Sequence, residues 1–205
     1  MTPINIAIYS LAGILALILI FVIVKRLVTK PEKSTKSLIS TTKETIDSLK
    51  IINASTDSSV MTNLLVKNRF SKLNYSIIPG LIVTKESIFV VSNIIPFNKS
   101  VEKIIISDDI YSEKNNKKQK WNYFDKKEFD NIVLLINKKY NNAKYFILVS
   151  DKIELSKINN QSEYKLINQS QLINNINQEV APLQNPKIIV QYFSSINRFD
   201  KNDRN

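Results

Sequence analysis

YSIIPGLIVTKESIFVVSNIIPFNKSVEKIIIS, residues 75–107, is the stretch that decides the fold class. It holds three runs rich in Ile, Val and Phe: Tyr75 to Thr84, Ser87 to Ile95 and Val101 to Ser107. Short polar breaks separate them, and Pro79-Gly80 interrupts the first. β-Branched and aromatic residues in runs of this length read as strands. The second and third runs are apolar nearly throughout, as strands covered on both faces are.

Downstream, residues Asp108 to Asn122 turn polar and basic and include the only tryptophan, Trp121. A helix is expected next, because Asp125 and Glu128 stand three apart as a capping box and Phe129, Ile132, Val133, Ile136 and Tyr140 fall on one face. Tyr145 to Val149 reads as a buried strand and Tyr164 to Asn168 as a shorter one. Ser170 then caps a helix carrying Leu172, Ile173 and Ile176, and Pro186 opens a final amphipathic helix with Ile188, Ile189, Tyr192, Phe193 and Ile196. Upstream, helical spacing over Ser37 to Ile52 predicts an amphipathic helix. A second helix, capped by Asp57 or Ser58, is expected to bury Val60, Met61, Leu64 and Leu65. The order is therefore α-β-β-β-α-β-β-α, an α/β fold.

Ahead of this domain, Ile4 to Val24 is an apolar run without a charged side chain that stops at Lys25-Arg26. About 21 residues at 1.5 Å each span roughly 30 Å, the thickness of a bilayer's hydrocarbon. The first 24 residues contain no Lys, Arg or A-x-A pattern, so an uncleaved transmembrane anchor over 1–28 is expected rather than a cleaved signal. The Lys-rich flank that follows places the N-terminus outside and the domain on the cytoplasmic side. Residues 29–56 form a linker and juxtamembrane helix, 57–182 the α/β domain, and 183–205 the last helix and a polar tail.

Composition narrows the chemistry. There is no Cys and no His, which excludes disulfides, thiolate and imidazole metal sites, and His-based triads. Any hydrolysis would rest on carboxylates, Lys and a hard cation such as Mg²⁺. A net charge of +11 over 205 residues, carried mostly by Lys, is weak evidence for a nucleic-acid partner when taken alone.

The stretch Ile104-Ile105-Ile106-Ser107-Asp108-Asp109-Ile110-Tyr111, followed by Trp121, the Asp125 helix, Tyr145 to Val149 and Leu166 to Ile173, resembles the nuclease-related domain (NERD) family of the PD-(D/E)xK restriction-endonuclease-like superfamily. The resemblance spans about Asp57 to Val180. It implies an Asp on the second strand and a Glu on the third holding a divalent cation, with a Lys two residues beyond the Glu. The matched positions here are Phe89, Ser107 and Asp109, with Asp108 one residue away, and none supplies the required ligand or cation. The resemblance thus implies a retained fold and a lost catalytic set, with no catalytic residue, no metal ligand and no cofactor. Asp151 with Glu163-Tyr164-Lys165 is a second, accidental-looking match to the D…E-x-K spacing.

Lys114, Lys117, Lys118, Lys120 and Trp121, with Tyr123 nearby, mix cations with aromatic rings, as single-strand binders do. The competing reading is a solvated loop with Trp121 turned into the core. Three functions follow. The first is a membrane-anchored binding module whose partners are the lipid bilayer, nucleic acid or another membrane protein. The second is a tethered Mg²⁺-dependent nuclease using Asp108, Asp109 or Glu163. The third is a structural assembly subunit. No small-molecule substrate is inferred.

Overall fold

The structure is a computed structural model that describes residues 13, 15, 38–85, 87–115, 117–177 and 185–199. The chain divides into two units, 1–37 and 38–205. In the first, only Gly13 and Leu15 are described, both helical, so the anchor expected over 1–28 otherwise lies outside the described residues. Among the described residues no helix is long and apolar enough to cross a membrane.

The second unit runs α1 (Lys43–Ser55), β1 (Ser59–Lys67), β2 (Tyr75–Val83), β3 (Ile88–Val91), β4 (Lys103–Ile106), β5 (Asp109–Lys114), β6 (Lys117–Asp125), α2 (Lys126–Asn137), β7 (Ala143–Val149), a 3₁₀ turn (Leu155–Lys157), β8 (Ile158–Asn160), β9 (Lys165–Asn168), α3 (Gln169–Asn177) and α4 (Pro186–Ile196). This is α/β, but the expected order behind a transmembrane helix is corrected: six strands precede α2, not three, and they divide between two sheets. One sheet has the order β1-β2-β3-β7-β9, the other β6-β5-β4-β8. In the first, β1, β2 and β3 are antiparallel neighbours, while β3 with β7 and β7 with β9 are parallel.

Both faces of the five-stranded sheet are covered, which is why β3 is buried at all four residues. On one face Leu49 and Ile52 of α1 and Leu172 and Ile176 of α3 pack on Ile82, Phe89, Val91 and Leu148. On the other, Phe129, Ile132 and Ile136 of α2 and Ile189 and Phe193 of α4 meet Leu81, Val90 and Ile147, together with Ile104, Ile106 and Ile110 of the smaller sheet. Asp125 caps α2 as expected, accepting from Glu128 N at 3.0 Å. Glu128 does not close the capping box. Its carboxylate accepts from Ser76 Oγ (2.5 Å) and Ser71 Oγ (3.0 Å), fastening α2 to β2 and the turn before it.

Two local expectations fail for identifiable reasons. The helix expected after Asp57 is strand β1. Thr62 pairs with Gly80 and Leu64 with Ile78, so Asn63, at φ 54°, stands opposite Pro79 with the register unbroken on either side. The left-handed Asn63 interrupts the strand's alternation, so Met61 and Leu64 both pack on the main core and imitate the i, i+3 spacing of a helix. The polar segment 108–122 is not a loop but most of the β5–β6 hairpin, whose turn begins at Asn115 with φ 49°.

Asn93, buried just beyond β3, ties the start of α1 to the sheet. Its Oδ1 accepts from Thr42 N (3.0 Å) and Thr45 Oγ1 (3.2 Å), and its Nδ2 donates to Ser40 O (3.1 Å). α1 can lie this close to β2 because Gly80 carries no side chain. A Cβ there would stand 2.6 Å from both Leu49 Cδ1 and Val91 Cγ2. Gly80→Ala should therefore destabilise the domain by about 1–3 kcal/mol in urea unfolding, the usual cost of overpacking a filled core.

Candidate nucleic-acid interface

The hairpin register sorts the five residues singled out in the basic segment. Residues directly opposite on antiparallel strands share a face. Lys114 pairs with Lys117, Ser112 with Gln119 and Ile110 with Trp121, so Lys114, Lys117 and Trp121 share one face with buried Ile110 and Ser112. Alternation places Lys118 and Lys120 on the other face.

That other face is charge-compensated. Glu113 stands between Lys103 and Lys118 across three strands, and Lys120 is ion-paired with Asp109. The hydrogen bond to Asp109 raises the Lys120 pKa, so this lysine remains a cation held by its partner.

The Trp121 face differs. It forms one wall of a groove whose opposite wall is the chain leaving β3, residues 96–101. One half is lined by Phe97, Lys99, Gln119, Trp121, Tyr123 and Lys152. The other half, toward the hairpin turn, is bordered by Ser100, Lys114, Lys117 and Lys118, with Asn98, Gln119 and Trp121 common to both. Lys99, Lys114, Lys117 and Lys152 border the groove, with Lys118 reaching its rim at the hairpin turn from the other face, and among the described residues no Asp or Glu lines either half. None of Lys99, Lys114, Lys117 and Lys152 is ion-paired with a described residue. Trp121 packs against the main core while also lining the groove, with Tyr123 edge-on at 5.7 Å. Phe97 is 43% exposed.

Phe97, Lys99 and Lys152 are the groove residues that sequence reasoning missed. Phe97 follows the end of β3 and Lys152 follows the end of β7. Parallel pairing brings these exits together, with Ile95 bridged to Val149 and Ser150 N donating to Ile95 O at 3.0 Å. The available signal was an aromatic and a lysine each just past a buried strand, at the C-terminal sheet edge where α/β proteins place ligands.

The positions matched to nuclease roles do not converge. Phe89 is fully buried in β3, its ring 6.0 Å from that of Phe146. Ser107 and Asp109 belong to the turn and strand after β4, in the other sheet. The third apolar run left the first sheet, so the carry-over of roles to these three residues fails. Strands β2 and β3 and the following Ser92-Asn93-Ile94 contain no Asp, Glu or Lys. Ser92 instead accepts from Leu148 N at 3.1 Å and donates to Asn93 O at 2.8 Å. Among the described residues no group of three or more acidic side chains is placed to hold a metal ion.

The second D…E-x-K match also separates. Asp151 lies past the C-terminal end of β7, accepting from Ser170 Oγ at 3.2 Å, whereas Glu163 precedes β9 at the opposite end. Five residues of extended chain from Glu163 to Asn168 cover roughly 16 Å. Glu163 is occupied by Lys126 (3.1 Å), which also pairs with Asp130 (3.0 Å). Tyr164 donates to Asp130 at 2.5 Å, and its ring meets that of Phe129 edge-on at 4.8 Å. Tyr145 donates to Asn137 at 2.6 Å. The Lys–carboxylate–Tyr cluster thus locks α2 against β9.

Compared with models of known protein families and with curated proteins, the sequence matches none.

Burial raises the phenol pKa of Tyr145 and Tyr164, and for Tyr164 the hydrogen bond to Asp130 raises it further. A phenol with a raised folded pKa contributes stability that is present below its unfolded pKa near 10 and lost as pH climbs past it. The Tyr145→Phe/Tyr164→Phe variant should accordingly show a shallower loss of stability than the parent between about pH 9 and 11, followed by urea midpoints across that range.

Proposed function

We propose that this chain is a nuclease-related module that has lost hydrolytic chemistry and binds nucleic acid through the lysine-rich groove beside the β5–β6 hairpin. The observation that carries the proposal is the segregation of charge: Lys99, Lys114, Lys117 and Lys152 and three aromatics border the groove with no lining carboxylate among the described residues, while the hairpin's other face balances Lys103, Lys118 and Lys120 with Glu113 and Asp109, and Glu102 and Glu154 line the adjoining pocket. Compositional drift toward Lys would scatter 18 acids among 29 basic residues without regard to face. A surface on which lysines outnumber the nearby carboxylates Glu102 and Glu154 suits a phosphate polymer.

The nuclease-related part of the reading rests on the sequence resemblance over 57–180 alone, because the run that the resemblance takes as its third strand lies in the smaller sheet. Residence at a membrane, with the domain on the cytoplasmic side, is proposed on the apolar sequence 4–24 and its basic flank. Alkaline extraction of membranes would release the chain if that part is mistaken.

One observation favours a second reading. β6 is the outer strand of its sheet, and lysines on an edge strand keep other strands from pairing with it. In that case neutralising Lys117, Lys118 and Lys120 would cause self-association and leave polyanion binding unchanged.

For the full-length chain in mild detergent, nucleic-acid affinity should fall steeply between 50 and 200 mM salt. Lys114→Gln/Lys117→Gln should reduce the log-log salt slope by about 2, whereas Lys118→Gln/Lys120→Gln should change it less. Fluorescence anisotropy reads both. Metal-dependent cleavage abolished by substituting Asp108, Asp109 or Glu163 would defeat the loss of hydrolysis.

A further inference from the structure

Within the nucleic-acid reading, on which this step rests, the groove's shape and lining distinguish between forms of the polymer. A duplex presents phosphates outward and hides its base faces, so exposed aromatic rings gain nothing from it. A single strand offers a ring face at every residue, and stacking on aromatics is strong and tolerant of sequence. Phe97 and Trp121 line the same half of the groove, Phe97 exposed and Trp121 half-buried. Lys99 and Lys152 border that half, and Lys114 and Lys117 border the continuation toward the hairpin turn. The aromatic pair therefore shares its half of the groove with two cations, and two more border the continuation. Rings and cations side by side suit the bases and phosphates of one strand, and among the described residues no helix borders the groove to enter a duplex's major groove.

We infer that the groove takes single-stranded DNA or RNA, with bases stacked on Phe97 and Trp121 and phosphates met by Lys99, Lys152, Lys114 and Lys117. Phe97, Lys99 and Lys152 thereby become binding residues. Asn98 and Gln119, common to both halves, lie where the strand passes from one to the other.

Trp121 is the sole tryptophan, so its fluorescence reports stacking directly. The full-length chain in mild detergent would be titrated with oligo(dT), oligo(U), an abasic oligonucleotide of equal length, a duplex and heparin. The expected result is quenching by oligo(dT) or oligo(U) but not by the abasic strand, with affinity for a single strand at least tenfold above that for duplex or heparin. Phe97→Ala, at a position already exposed and so tolerant of truncation, should lower single-strand affinity roughly tenfold and leave heparin binding unchanged. Equal binding of all five probes without quenching would overturn the single-strand inference while leaving a polyanion-binding groove. Failure to bind any of them would overturn both.

Discussion

The parallel pairing of β3 with β7 is the constraint from which the rest of the fold and its groove follow. β3 is short, apolar and covered on both faces, so it has no solvent-facing side to set its orientation. Its place is set by two neighbours, β2 antiparallel and β7 parallel. A parallel neighbour requires a long connection. Here that connection holds β4, β5, β6 and α2, and the hairpin that forms half of the groove is thus part of the crossover itself. The same pairing places the exits of β3 and β7 side by side, which brings Phe97 and Lys152 to one wall of one cleft.

Polar groups at these exits are satisfied rather than exposed, and this holds the site's backbone in place. Ser92 bridges β3 and β7 by accepting from Leu148 N, and Asn93 makes three hydrogen bonds, to Ser40 ahead of α1, to its cap Thr42 and to Thr45 in its first turn. Thr45 completes the arrangement, its hydroxyl accepting from Ile94 N at 2.8 Å. Buried side chains paired in this way favour one geometry, because an alternative leaves donors or acceptors unpaired in a dry interior, as the Thr41 hydroxyl beside this node already is. The segment Pro96–Ser100 leaves the sheet from this rigid node, so its aromatic and lysine are presented from a fixed base.

The charge pattern is a consequence of strand alternation. In β6 the sequence KKQKW reads as an undifferentiated basic run. Pairing with β5 divides it: Lys117 and Trp121 go to the groove face, Lys118 and Lys120 to a face already supplied with Glu113 and Asp109. A strand's period of two separates neighbours that a composition count treats as equal. The same net charge therefore contains a balanced surface and an unbalanced one.

Where structure depends on residues a few positions apart, it was legible beforehand. The cap at Asp125 with the apolar face of α2, Pro186 opening α4, and the apolar run of β7 are local signals, and α2, α4 and β7 form where those signals stand. In β1 the left-handed Asn63 gives the inward side chains Met61 and Leu64 a helical spacing, and only the pairing with β2 reveals a ladder whose register runs unbroken past that residue. The third apolar run, Ile104 to Ile106, looks locally like its two predecessors. Nothing within it states that it joins β5 and β8 in another sheet. Residue types and local periods thus settle which segments are helix or strand and that lysines and a tryptophan cluster near residue 120. Which strands pair, which lysines lack carboxylate neighbours and which distant residues complete the groove depend on contacts between positions tens of residues apart. Those contacts are selected by the joint packing of both sheet faces, a property that no single segment possesses.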